Sequence, residues 1–258
     1  MKIIKILFLS FIVPLSSLAQ KDYEIFEKGI KEEIEMLTNF LRTLRGSETV
    51  QFDPDSLSGE IADQLTNFLN SDSGYLFNLK DFPNILEEYC VFQKDNINIQ
   101  VIGFNYHCGG TAGTIYHPIV IRNPNQQSQK AYDLSYTEYG ISEIYHLGGE
   151  RFLCFGIVPG SGTCIAERVS IIEFSGNDIS LLKVFDGEEK FVICNAELSF
   201  DTETKLLTIE VYMFPTYSED CEGMFLYEPV KCFHIECDDE YKVASLHARF
   251  DGEKFVKP

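Results

Sequence analysis

Ile97-Asn98-Ile99-Gln100-Val101-Ile102-Gly103-Phe104-Asn105-Tyr106-His107, then Cys108-Gly109-Gly110-Thr111-Ala112-Gly113-Thr114, then Ile115-Tyr116-His117-Pro118-Ile119-Val120-Ile121-Arg122, is the stretch that decides the fold. Two apolar runs rich in β-branched and aromatic residues flank a glycine-rich link, which is the sequence form of a buried β-hairpin. The pattern returns downstream. Arg151 to Val158 leads into Pro159-Gly160-Ser161-Gly162, and Thr163 to Phe174 leads out.

From Glu88 onward the apolar period is two. Strands are expected at 89–93, 97–107, 115–122, 130–135, 151–158, 163–174, 178–185, 190–199, 205–213, 224–236, 242–250 and 254–257. Turn-forming residues separate them, including Lys94-Asp95-Asn96, Asn123-Pro124-Asn125, Ser175-Gly176-Asn177 and Asp201-Thr202-Glu203-Thr204. Such connections are too short for parallel crossovers, so the sheet is expected to be antiparallel and sequentially wound. Val184-Phe185-Asp186-Gly187-Glu188 echoes Arg249-Phe250-Asp251-Gly252-Glu253, and each continues into a Lys-Phe-Val. Both read as Asp-Gly hairpins of a repeated meander. Twenty-one Phe and 13 Tyr with no Trp also favour strands.

The front of the chain has a different period. Tyr23 to Arg45 places Phe26, Ile30, Ile34, Leu37, Leu41 and Leu44 at helical spacing, and Gly46-Ser47 ends the run. Asp53-Pro54-Asp55 reads as a turn, and a second helix follows from about Gly59 to Asn70. The expected class is therefore α+β and mainly β: an N-terminal helical hairpin, then an antiparallel β-meander shaped as a propeller-like sheet, a barrel or a sandwich. The expected division is 1–19, 20–87 and 88–258.

Residues 1–19 read as a secretory signal peptide. Lys2 and Lys5 are its basic start, Ile6 to Val13 its apolar core, and Ser16-Ser17-Leu18-Ala19 its small-residue cleavage site. The core is too short to span a bilayer, so no membrane insertion is expected after cleavage. The expected location is periplasmic or secreted. Cleavage removes two lysines and no acid, which takes the formal charge from −19 to −21. A chain so acidic repels nucleic acid and anionic lipid. The eight cysteines (Cys90, Cys108, Cys154, Cys164, Cys194, Cys221, Cys232, Cys237) all follow the signal. Outside the cytoplasm such an even count points to disulfides. Cys154 with Cys164, and the trio Cys221, Cys232 and Cys237, are the local groupings.

Few residues suggest chemistry. Cys108 beside His107, with His117 across the hairpin, supplies a thiol, a base and a glycine loop whose N–H groups could face an oxyanion. A disulfide cysteine and two strand histidines account for the same residues. Cys232, His234 and Glu236 alternate onto one face of a strand, at spacing suited to a transition metal, though no fourth ligand is evident. The acidic turns Asp53-Pro54-Asp55, Asp201-Thr202-Glu203 and Asp238-Asp239-Glu240 lack a calcium-loop pattern. Pro159-Gly160-Ser161-Gly162-Thr163 is neither a nucleophile elbow nor a phosphate loop. A carboxylate pair for glycoside hydrolysis would meet only in the fold. No cofactor-binding residue is assigned and no cofactor is expected.

The signal ending Leu18-Ala19-Gln20, the helical lead-in, Gly109-Gly110-Thr111 after a strand, and the closing Ala248-Arg249-Phe250-Asp251-Gly252-Glu253-Lys254-Phe255-Val256 resemble uncharacterised secreted β-rich proteins of Bacteroidota. That resemblance implies export and a β-meander, with no activity or catalytic residue attached. The expected function is an exported, non-catalytic protein that binds a small ligand or a partner protein. The alternative is a secreted hydrolase using Cys108 and His107 or a carboxylate pair. A third option is an inhibitor of another organism's enzyme.

Overall fold

The computed structural model describes residues 20–29, 31–32, 54–82, 86–107, 114–134, 140–158, 166–176, 178–186, 188–194, 196–212, 234–238 and 243–258. Side chains at 54–57, 105–107, 114–115, 158, 190, 212, 234–238 and 243 lie outside that description. The protein is mainly β with antiparallel sheets, and it divides into two units.

The first unit takes residues 1–109 and 114–138. Its sheet runs in the order β1 (Glu87–Lys94), β2 (Ile97–His107), β3 (Thr114–Arg122), β4 (Lys130–Asp133), every pair antiparallel. Lys94 opposes Ile97, which leaves a two-residue turn, and Asp95 takes the left-handed conformation that turn needs (φ 54°). The helical residues 20–29 and 31–32 (α1) and the helix Pro54–Leu69 (α2) accompany this sheet. Helix α2 opens at Pro54, five residues earlier than its apolar stripe suggests. Proline suits the first helical turn, where its missing N–H is not needed, so the Asp53-Pro54-Asp55 signal marks a helix start.

Ile61, Leu65 and Leu69 line one face of α2 and share a core with Phe82, Ile102, Phe104, Ile119 and Ile121. Helix α1 joins that core: Phe26 stacks on Phe68 with centroids 3.8 Å apart, and the Tyr23 hydroxyl donates to Asp81 at 2.6 Å. The remainder of the expected first helix, and the link that would make a helical hairpin, fall at 33–53, outside the described residues. The division expected near residue 88 falls inside this unit, because the helices need the sheet to bury their apolar stripe.

The second unit takes residues 110–113 and 139–258 and contains two sheets. One is a meander of β5 (Gly140–Gly148), β6 (Arg151–Val158), β7 (Ala166–Ser175) and β8 (Asp178–Leu182), with β9 (Lys190–Cys194) following β8 along the same edge of β7. The other has the order β10 (Ala196–Asp201), β11 (Leu206–Tyr212), β13 (Val243–Phe250), β12 (His234–Asp238), and β14 (Phe255–Val256) also pairs with β13. Sequential winding therefore fails here. Strand β13 lies between β11 and β12, where a simple meander would have placed β12. The inner residues of both sheets form one core: Leu153, Phe155, Val169 and Ile171 from the first, Phe200, Leu207, Ile209, Leu246 and Ala248 from the second.

Strand β5 has no counterpart among the expected strands. Two register shifts, at Ile141/Glu143 and His146/Gly148, break its alternation. Ile141, Ile144 and Leu147 consequently recur every third residue, a helical spacing in a strand.

The two Asp-Gly segments are not equivalent blades. Residues 183–189 are an excursion between β8 and β9, closed by a bridge from Phe185 to Glu188. Residues 251–254 form the β13–β14 turn, where the Asp251 carboxylate accepts from the N–H groups of Glu253 (2.8 Å) and Lys254 (3.0 Å). Those bonds hold the Asp251 carboxyl below the usual carboxylate range. The echoing segments meet in space. Phe255 N–H donates to Val184 O at 2.8 Å, Lys254 pairs with Asp186, and Phe185, Phe191, Phe250 and Phe255 pack edge to face or tilted.

Candidate functional site

The hairpin β2–β3 forms, and of the expected Cys108, His107 and His117 only the side chain of His117 falls among the described ones. His107 opposes Thr114, and His117 opposes Phe104. His117 is buried at 7% exposure, its ring stacked on Phe104 at 4.9 Å and 5°. Cys108 and the links 108–113 and 159–165 lie outside the described residues. Gly103 is placed by close approach: a Cβ there would stand 2.3 Å from His117 O and 2.8 Å from the Tyr89 ring. Tyr89 donates its hydroxyl to Phe104 O at 3.1 Å, and burial raises its pKa.

Of the cysteines, Cys90 lies in β1 and Cys154 is buried in β6, and Cys194 of β9 is disulfide-bonded. Cys164, the expected partner of Cys154, lies outside the described residues. Cys154 opposes Ser170 in the β6–β7 ladder.

For the strand-borne metal candidates, Cys232 lies outside the described residues, while His234 and Glu236 sit in β12. His234 opposes His247 of β13, and Glu236 opposes Ser245. Among the described side chains no three His, Cys, Asp or Glu residues gather for a metal ion. Asp201 caps its own turn, accepting from Glu203 N–H at 2.8 Å, and its carboxyl is held low by the Thr204 side-chain bond first and then by the Glu203 and Thr204 N–H groups. Turn closure accounts for it. Asp53 and the 239–240 pair are outside the described residues.

The second unit has two unlike ends. At one, turns 148–150, 201–205 and 251–254 are tied across the sheets. Arg151 pairs with Glu173 at 2.7 Å and donates to Gly252 O at 2.6 Å, and Lys205 Nζ donates to His146 O at 3.2 Å. Left-handed glycines at 148, 149 and 252 allow these turns. At the other end stand Gly140, Val158, Ala166, Cys194, Ala196, Tyr212 and Val243, the strand termini from which 159–165 and 213–233 depart.

Toward that second end the inner face carries Glu143 and Tyr145 (β5), Ile157 (β6), Glu167 (β7) and Ile193 (β9). Ile157 is 40% exposed. The Tyr145 hydroxyl donates to the Glu143 carboxylate, and its ring packs edge-on against Phe155 and Phe200 at 5.2 and 5.5 Å. Burial and then the Glu143 bond raise the Tyr145 pKa. Burial, then the nearby negative charge of Glu143, raises the Glu167 carboxyl above the usual range. Sequence reading missed this trio, since alternation across three strands brings together residues that are 24 apart.

Two carboxylates in unlike environments beside an exposed apolar side chain can hold a basic group or divide acid and base roles. Comparison of the chain with protein families, with curated proteins and with solved structures finds no match.

Proposed function

We propose that this chain is an exported, non-catalytic β-protein that binds a partner protein or a small ligand at the end of its second unit where β6 and β9 finish. The cluster of Glu143, Glu167 and exposed Ile157 on that end's inner sheet face carries the reading. It stands beside the strand termini from which 159–165 and 213–233 depart. Recognition commonly resides on connections held by a rigid sheet. The chemistry of the face suits a basic, partly apolar partner. Export is supported by the signal-like residues 1–19 and fits the disulfide at Cys194.

The test is fluorescence anisotropy with a panel of labelled peptides that combine arginine or lysine with leucine. Saturable binding is expected, weakened by Glu143→Gln with Glu167→Gln and by Ile157→Asp. Asp178→Asn, at the braced end, should leave it unchanged. Binding that ignores all of these substitutions, or no binding across the panel, overturns the proposal.

A second reading rests on the same carboxylates. The raised Glu167 carboxyl could serve as proton donor, with Glu143, held by Tyr145, beside it. Hydrolysis of a glycan panel that disappears in Glu167→Gln would establish it. The cysteine version needs a reduced Cys108, which thiol titration of the unreduced native protein would reveal.

A further inference from the structure

We propose that the concavity beside the β5–β6 turn of the second unit is a binding site for a neutral sugar, held through two neighbouring hydroxyl groups by Arg151 and Glu173. The concavity encloses about 370 Å³ and lies between the 148–150 turn, the Arg151–Glu173 pair and Gly252 of the β13–β14 turn. Small-molecule sites span about 300–1,000 Å³, so this one suits a ligand of one or two rings. Its walls are fixed before anything binds. Arg151 Nε donates to Glu173 Oε1 at 2.7 Å and Nη1 donates to Gly252 O at 2.6 Å, while the His146 ring and Gly149 O are bonded at 2.9 Å. Pre-set groups bind with little ordering cost.

The choice of ligand follows from what the ion pair leaves over. Among the described residues, neither Arg151 Nη2 nor Glu173 Oε2 has a hydrogen-bond partner. The two side chains are 33% and 32% exposed, so these groups are reachable. The wall thus offers donors next to an acceptor. A hydroxyl can both donate and accept, so adjacent hydroxyls match it, one accepting from Arg151 and the other donating to Glu173. A charged ligand group fits less well. A carboxylate would stand beside Glu173 and Glu150, and an ammonium beside Arg151. Leu147 and Phe250 line the concavity from the core and suit the C–H face of a pyranose. The left-handed glycines 148, 149 and 252 keep side chains off its rim. This site is separate from the Glu143–Glu167 end and does not depend on the function proposed for it.

The test records amide proton–nitrogen spectra of the full chain during addition of the methyl pyranosides of glucose, galactose and mannose, or of N-acetylglucosamine. Sodium acetate and free glycine are added in parallel. Saturable shifts are expected at Gly148, Gly149, Glu150 and Gly252 with at least one sugar, and none with acetate or glycine. Arg151→Lys, which loses the planar fork, and Glu173→Gln should each weaken binding about tenfold or more, the loss of a hydrogen bond to a charged group. If Arg151→Lys melts below the parent, Glu173→Gln carries the test, because its amide oxygen can still accept from Arg151. Glu143→Gln with Glu167→Gln should leave sugar binding unchanged. No saturable shift with any of the four sugars overturns the proposal, as does parental affinity in Glu173→Gln. Saturation by acetate or glycine at the same amides would make this an ion site and overturn it too.

Discussion

Two residues show how single positions constrain the fold. Gly103 lies where the β3 backbone and the Tyr89 ring close over β2, so even a methyl group has no room. Gly103→Ala is expected to cost about 1–3 kcal/mol, read from urea unfolding, because backbone must shift to admit it. Glu167 is a case of charge held at some disadvantage. Unfolded, it ionises near the ordinary value of about 4.3. Folded, it ionises at higher pH, because burial and Glu143 disfavour the anion. Between those two values the folded chain binds more protons than the unfolded one, so stability falls as pH rises through the window. Glu167→Gln should therefore be more stable than the parent at pH 7. Its advantage should vanish below the glutamate range, where both forms are neutral. An equal gain at pH 7 and pH 3 would show that charge is not the cause.

At the scale of elements, helix α2 is locked to the sheet through its last residues. Asn70 donates to Ala131 O at 2.9 Å and accepts from Ala131 N–H at 2.8 Å, so its amide acts as one more strand neighbour for β4. Gln129 Nε2 donates to Leu69 O at 2.9 Å and so occupies a carbonyl that the helix end leaves over. Asn70→Ala should lower stability by about 1–3 kcal/mol, since two backbone groups of β4 lose their partner. Hydrogen exchange at Ala131 should accelerate in the same variant. Sequence showed the strand and the helix but not this joint, which needs a side chain to meet an edge 61 residues away. Strand β5 was hidden for a related reason. Its bulges exist only opposite β6, so the residues carry a period that belongs to the pair and not to the strand alone.

For the whole second unit, the cluster of Phe185, Phe191, Phe200, Phe250 and Phe255 joins the two sheets. Phe255 is fully buried in a strand of two residues, so its side chain rather than its ladder holds the C-terminal segment. Phe255→Ala is expected to cost about 3–5 kcal/mol by thermal or urea melting. Slow exchange at the braced end should be lost with it. By itself the sequence determined what is local: the β character, the antiparallel hairpins about Asp95-Asn96 and the two glycine-rich links, the short turns, and the helical front. Period and turn chemistry span only a few residues, and each is legible without knowing what packs against it. Only the tertiary structure decided the insertion of β13 beside β11, the meeting of the two Asp-Gly segments, the Glu143–Glu167 pair and the placement of His247 opposite His234. Those depend on which strands share a core and in what register. Hydrophobic burial sets that over the whole unit, and no stretch of the chain encodes it alone.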